Sequence, residues 1–296
     1  MIGPDPSSPP GAASAPFPDE AARAKYAALL ERLRPLGRAA VAFSGGVDSS
    51  LLLCAAREAL GEGVLAVTAV SPLYHSLERR SAGEVAARLG ARHIFVDNAV
   101  LERSPARFNP RDRCYHCKLW GLRAIGEAAR AAGIAVLLEG SNVDDLQDDR
   151  PGFRAIQELG VRSPLCEVGM GKTEIRALAR ERGLPNWGQP ALACLGSRFP
   201  YGDEITPQRL SRVEKGEEAL RALGIEQVRV RDHGSIARIE VPAEAFGRLT
   251  APGVRERLAE RFRELGFTYT ALDLTGYRLG AMNEGARGGS AAEAAP

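Results

Sequence analysis

Ser44-Gly45-Gly46-Val47-Asp48-Ser49-Ser50 decides how this chain is read. The apolar run before it, residues 39–43, reads as a buried strand, and Leu51, Leu52, Leu53 and Cys54 after it read as the first turns of a helix. A strand, a Gly-Gly turn rich in hydroxyls and a helix start together make a nest for phosphate. The glycines let the backbone approach an anion closely. The first N–H groups of the helix have no intrahelical partner, and the helix dipole adds about half a positive charge there. The stretch is not the Walker loop, because the GK[ST] ending is missing, and it contains no GxGxxG. Asp48 is out of place in a plain phosphate nest. A carboxylate there repels the ligand unless a cation sits with it, so Asp48 points to Mg2+.

The chain has 296 residues, enough for one large domain or two modest ones. Its composition, 45% hydrophobic and 26% charged, is that of a globular protein. A net charge of +2 implies no polyanion-binding surface by balance alone. No run of about eighteen apolar residues offers a membrane span, and the N-terminus lacks an apolar signal core. Five cysteines is an odd count, and nucleotide chemistry is intracellular. The thiols are therefore expected to be reduced, metal-bound or reactive, in a cytoplasmic protein.

Residues 1–18 are rich in Pro, Gly, Ala and Ser and read as disordered, as does the tail 285–296. Between them two styles follow one another. Over 19–190, strands expected at 39–43, 64–70, 93–96 and 135–139 alternate with helices at 21–33, 47–60, 77–89, 118–132 and 173–181. This alternation predicts an α/β fold, a parallel sheet with helices on both faces and ligands at the carboxyl ends of the strands. Over 191–284 the pattern changes to a small α+β domain, with helices at 207–223 and 243–265, the latter broken at Pro252-Gly253. Its strands are expected at 227–231, 237–241 and 267–274.

Cys114 and Cys117 form a CxxC pair at the start of a predicted helix, and Cys194 lies far downstream in a Gly/Ser/Pro-rich loop. A structural zinc site wants four ligands. Three thiolates from two segments suit either a cluster with one iron left open or a pair plus a free nucleophile. Arg113, Lys118 and Arg198 flank these thiols and favour the thiolate. Cys54 on an apolar helix face and Cys166 in an apolar, strand-like run read as inert. His116 is a candidate fourth ligand, and the reading preferred for it is a solvent-facing histidine.

Ser-Gly-Gly-x-Asp-Ser resembles the PP-loop, in which enzymes that split ATP between its α and β phosphates hold the pyrophosphate. A longer ordered set is narrower: SGGVDSS at Ser44, DRCYHCK at Asp112, EGSNVDD at Glu139, RSPL at Arg162, GKTEIR at Gly171, ACLGSRFPYG at Ala193, RVRDHG and ARIEV from Arg229, and LDLTGYRLG at Leu272. On these motifs the chain, over about residues 21–284, resembles the LarE family of ATP-dependent sulfur transferases, which make the nickel-pincer nucleotide of lactate racemase.

The resemblance implies a PP-loop domain of the adenine nucleotide α-hydrolase type and a substrate domain. It implies that ATP adenylates a pyridinium carboxylate mononucleotide, that a sulfur nucleophile displaces AMP, and that both carboxylates become thiocarboxylates. It places ATP on Ser44, Gly45, Gly46, Val47, Asp48, Ser49, Ser50, Gly140 and Lys172, with Mg2+ at Asp48. Cys194 matches the sulfur-bearing cysteine, which some members sacrifice to dehydroalanine. Members with a CxxC hold a [4Fe-4S] cluster on three cysteines, here Cys114, Cys117 and Cys194. Arg198, Arg229, Arg231 and Arg278 are expected at the substrate phosphate and carboxylates, with Glu217 and Glu240 orienting them. Lys172 and Arg176 share one helix face if the helix starts early enough. Relatives assemble from identical subunits, so a homo-oligomer is expected. Neither a nucleic-acid nor a membrane partner is. Three rivals are a tRNA thiolase, an amidating PP-loop synthetase and a non-catalytic nucleotide or metal sensor. The charge balance and the 6% aromatic content weigh against the first. The cysteines weigh against the second, and the third predicts no pyrophosphate release.

Overall fold

Four small apolar residues in a row can be buried on both sides, and at Ala39–Ala42 they make the central strand of a parallel sheet. The computed structural model describes residues 17–147, 151–190 and 192–278. The tail and nearly all of the N-terminal segment expected to be disordered lie outside the described residues.

The chain divides into two compact units. The larger comprises the chain up to Ala106 and Asp112–Leu192. Its elements are α1 (Glu20–Leu33), β1 (Ala39–Ala42), α2 (Val47–Leu60), β2 (Val64–Val70), α3 (Ser76–Arg88), β3 (Arg92–Asp97), α4 (Val100–Arg103), α5 (Arg113–Ala131), β4 (Leu137–Glu139), α6 (Gly152–Glu158), α7 (Pro164–Glu167) and α8 (Lys172–Glu181). The sheet order is β3-β2-β1-β4, all parallel, and Arg162 adds a parallel bridge to Leu138. Alternate side chains of β1 enter different cores. Ala39 and Val41 pack with Leu29, Leu52 and Leu178 of α1, α2 and α8, while Ala40 packs with Leu65, Val67 and Ile125 on the α5 side. The strand order reverses between β1 and β4, which opens the crevice where α/β sheets bind ligands. Residues 44–50 lie at that point.

The smaller unit comprises Arg107–Arg111 and the chain from Ala193. It holds α9 (Pro207–Arg221), β5 (Arg229–His233), β6 (Ile236–Glu240), α10 (Phe246–Thr250), α11 (Val254–Glu264) and β7 (Tyr269–Leu272). β5 and β6 form an antiparallel hairpin, and β7 runs parallel to β6. Thr206 caps α9 by accepting from the Arg209 N–H at 3.2 Å, with Pro207 at the first helical position. Among the described residues no helix is long and apolar enough to cross a membrane.

The departures from expectation are local. The CxxC helix begins at Arg113, so Cys114 and Cys117 lie within its first turns. Cys166 belongs to a single helical turn opened by Pro164 and not to a strand-like run. The helix α6 is unforeseen, because Pro151-Gly152 reads as a breaker. Here Pro151 is the cap residue, where a missing N–H costs nothing.

A Cβ on Gly140, just after β4, would lie 2.9 Å from the Ser49 backbone nitrogen and 3.0 Å from its Cα. Gly140→Ala must therefore push the end of β4 off the first turn of α2. We expect a loss of about 1–3 kcal/mol in denaturant unfolding, the usual cost of overpacking. An unfolding midpoint equal to the parent's would contradict this close approach.

Candidate active site

The loop after β1 is held from within the larger unit. Gly45 sits at φ 79°, and a Cβ there would meet the Ala82 backbone at 2.7 and 2.9 Å. Glycine is required on both counts. Gly46 is the cap residue of α2, in extended conformation, with no side chain capping the helix. The N–H groups of the first turn of α2 therefore remain for an anion. Ser44 Oγ accepts from the Gly46 N–H at 3.2 Å and lies 3.1 Å from Ser49 Oγ, which donates to the Gly46 carbonyl at 3.0 Å. Val47 and Ser50 are buried in the same first turn.

Asp48 lies in that turn, and one carboxylate oxygen accepts from Lys172 Nζ at 2.5 Å. The other, Oδ1, is buried without a hydrogen-bond partner among the described residues. Burial pushes the Asp48 carboxyl up from its ordinary value. Lys172 pulls it down, and nearby Asp145 raises it further. An orphaned carboxylate oxygen beside a second acid fits a hard divalent cation. Mg2+ needs only one or two protein carboxylates when phosphates supply the rest. Lys172 opens α8, so Lys172 and Arg176 do lie one turn apart on the same helix. Arg176 donates to the carbonyls of Trp187 and Gln189 at 2.6 and 2.9 Å.

Sequence reasoning named Glu139 only as part of a motif. It is buried at the end of β4, where it accepts from Lys118 at 2.9 Å, from the Ser141 N–H and hydroxyl at 3.0 and 2.8 Å, and from the Ser163 hydroxyl. Burial works against its charge. Lys118 and the hydroxyl bonds outweigh burial and hold the carboxyl below the usual range. The signal was available, since an acid ending a buried strand needs partners.

Cys114 is exposed and Cys117 half-buried. Cys117 Sγ lies 3.1 Å from the Tyr74 hydroxyl. His116 does not face solvent as expected, because its side chain is only 20% exposed and meets Asp112 at 3.3 Å. Two thiols one helical turn apart suit two iron ligands. Among the described residues no three His, Cys, Asp or Glu side chains are grouped to hold a metal. Burial and the charge of Glu139 push the Cys166 thiol up to about 11, which leaves it unreactive.

Cys194 belongs to the smaller unit. Its carbonyl accepts from the Ser197 N–H and hydroxyl at 3.0 and 2.8 Å, which curls Leu195–Arg198 into one tight turn. Arg198 is fully buried and forks onto Glu217 at 2.7 and 3.0 Å, while its third nitrogen donates to the carbonyls of Ala193 and Cys194 at 2.7 and 3.0 Å. Arg231 forks onto Glu240 at 2.9 and 2.7 Å and donates to the Ser197 carbonyl at 2.7 Å. Glu217 and Glu240 are both fully buried. Arg198 and Arg231 thus grip the Cys194 loop and do not face solvent as substrate-binding side chains would. Arg229 differs: it donates to the Val228 carbonyl at 2.7 Å and lies 5.2 Å from the Tyr277 ring centre. Burial, and then the charge of Arg198, lower its ordinarily very high pKa. Arg278 is exposed, with Thr275 Oγ1 at 3.5 Å.

A glycine nest between a parallel strand and a helix, with an acid and a lysine over it, is the layout of enzymes that cleave ATP in a PP-loop. Comparison with known proteins agrees. Residues 22–148 match the asparagine synthase family. The chain is 42% identical over 258 residues to an uncharacterized protein of Synechocystis sp., covering 86% of this chain and 96% of that protein. It is 40% identical over 261 residues to the pyridinium-3,5-bisthiocarboxylic acid mononucleotide synthase of Lactiplantibacillus plantarum, covering 88% of this chain and 94% of that enzyme. It is 28% identical over 238 residues to an uncharacterized protein of Methanocaldococcus jannaschii, covering 80% of this chain and 90% of that protein. The chain belongs to the LarE family of PP-loop, ATP-dependent sulfur transferases.

Glu217 also accepts from Arg221 at 2.8 Å and from the Val230 N–H at 3.2 Å. Removing its charge takes the carboxylate from the buried Arg198 guanidinium. Glu217→Gln should cost about 3–5 kcal/mol in denaturant unfolding, against under about 0.5 kcal/mol for the exposed Glu31→Gln. Equal small losses would deny Glu217 this role.

Proposed function

We propose that this enzyme adenylates the carboxylates of pyridinium-3,5-biscarboxylic acid mononucleotide with ATP and replaces AMP with sulfur, leaving thiocarboxylates. The observation that carries this reading is the 44–50 nest with Asp48 and Lys172 over it, in a chain 40% identical to a synthase of the bisthiocarboxylic nucleotide.

In this reading a substrate carboxylate oxygen attacks the α phosphorus of ATP, and the α–β bond breaks. The N–H row of Val47, Asp48 and Ser49, the Ser44 and Ser50 side of the loop, Gly45, Gly46 and Lys172 receive the departing pyrophosphate. Gly140 gives the loop room from behind. Asp48 is the residue that would hold Mg2+, which when bound offsets the charge on the leaving group. A sulfur anion then attacks the acyl carbon, and AMP leaves with its electron pair. Cys194 is the residue assigned to present that sulfur. Arg198 and Arg231, backed by Glu217 and Glu240, act as positioning residues that fix the Cys194 loop. Arg229 and Arg278 are assigned to the substrate phosphate and carboxylates, because a guanidinium fork matches both groups. Cys114, Cys117 and Cys194 are the three ligands assigned to a [4Fe-4S] cluster, which when bound carries the sulfur for transfer. The resemblance adds a cytoplasmic homo-oligomer without a nucleic-acid partner.

Anaerobically purified enzyme given the pyridinium dicarboxylate nucleotide, ATP, Mg2+ and sulfide should yield pyrophosphate, AMP and a thioacid. Cys194→Ala should release pyrophosphate at the parent rate and form no thioacid. Release of AMP without thioacid by the parent would sink the sulfur-transfer reading, and a salt-sensitive gel shift with tRNA would point to the thiolase rival.

The cluster is tested separately by composition. Iron, sulfide and broad visible absorption are expected in the same preparation. Zinc alone, or no metal after reconstitution, removes the cluster. Loss of the elements of hydrogen sulfide from the chain after one turnover would mark Cys194 as a sacrificed donor.

A further inference from the structure

Asn186 lies in the turn that follows α8, and its side chain is 1% exposed. Its amide reaches back 141 positions along the chain to the carbonyl of Gly45, at 2.7 Å, and 136 positions to Ser50 Oγ, at 2.8 Å. The carbonyl can only accept, so the atom that faces it is the NH2 group. Ser81 of α3 donates to the same carbonyl at 3.1 Å. The remaining amide oxygen, Asn186 Oδ1, is buried with no partner among the described residues. An unpaired buried acceptor costs about 1–3 kcal/mol. Asn186 therefore sits at a stability cost, and the bonds from its NH2 group are what it provides in exchange.

Those bonds join two parts of the nest. Gly45 lies in the turn, at a backbone angle that residues with a side chain rarely adopt, and Ser50 lies on the first turn of α2. The peptide group is planar, so holding the Gly45 carbonyl inward fixes the plane that also carries the Gly46 N–H. That N–H then meets Ser44 Oγ at 3.2 Å. Asn186 thus ties the turn to the helix start from the protein side, and the anion side of the nest stays clear.

We infer that Asn186, assisted by Ser81, is a positioning residue for ATP phosphates: it sets the shape of the 44–50 loop without touching the nucleotide. The inference rests on ATP binding by the loop and not on sulfur transfer. Asn186→Asp keeps the shape of the side chain but turns an oxygen toward the Gly45 carbonyl.

The test is equilibrium binding of ATP and of adenosine to the full chain, with no second substrate present. Adenosine lacks the phosphates, so a defect confined to the loop should spare it. Asn186→Asp should weaken ATP by about tenfold or more and leave adenosine within about twofold of the parent. Ser81→Ala should weaken ATP by about two- to fivefold. Equal losses for ATP and adenosine would reduce Asn186 to a structural residue and overturn the inference. Unchanged ATP affinity in a folded Asn186→Asp protein would also overturn it. Should that variant fail to fold, unchanged ATP affinity in Ser81→Ala would do the same. Failure of the thioacid assay bears on none of these outcomes.

Discussion

The unpaired N–H groups at the start of α2 are the constraint on which the larger unit depends. A helix end normally satisfies its donors with a cap, and here the cap residue is Gly46, which has no side chain to offer. The neighbourhood is built to keep that end in place. Ala82 closes against Gly45, Gly140 closes against Ser49, and the hydroxyls of Ser44 and Ser49 bond within the loop. Each approach is possible only where a glycine removes a Cβ, so the sheet, α2 and α3 converge on one small volume. The donors left over define what the unit can bind.

The smaller unit uses the opposite material. Its centre is charged: Glu217, Glu240 and Asp232 are all fully buried, and each is met by at least two arginines. Buried ion pairs of this kind are weak evidence for stability, because desolvation offsets much of the attraction. Their geometry is a better guide to their role. Arg198 and Arg231 each spend one nitrogen on a carbonyl of the 193–198 loop, so the two pairs act on the backbone beside Cys194. In the role proposed for Cys194, a sulfur held still in one orientation is what transfer would need.

Much of this was legible in the sequence, and the exceptions have physical causes. Strand β2 and helix α2 fall where expected, because long apolar or helical periodicity outvotes local noise. The edge strand β3 is longer than its apolar core predicts, since Arg92 and Asp97 at its ends still pair with Leu65 and Val70 of β2. The CxxC pair does open a helix as expected, but α5 starts before the expected bound of 118, because Arg113-Cys114-Tyr115-His116-Cys117 carries no apolar stripe although the backbone is already helical. At the site, residue types were readable and directions were not. Four arginines look alike in sequence. Two are clamped by buried glutamates: Arg231 of β5 by Glu240 of β6, and Arg198 of the 195–198 turn by Glu217 of α9.

For the ATP site proposed above, the Asp48–Lys172 pair suits a metal-bound nucleotide better than a bare one. The two charges satisfy each other only partly, because burial still pushes the Asp48 carboxyl up although the lysine is 2.5 Å away. Entry of a triphosphate alone would draw Lys172 toward the anion and leave a half-buried carboxylate facing negative oxygens, an unfavourable arrangement. A divalent cation arriving with the phosphates would remove that conflict. It would give Asp48 Oδ1 a partner and free Lys172 for the phosphate oxygens. The same pair that neutralises the loop before binding would therefore favour entry of metal and nucleotide together.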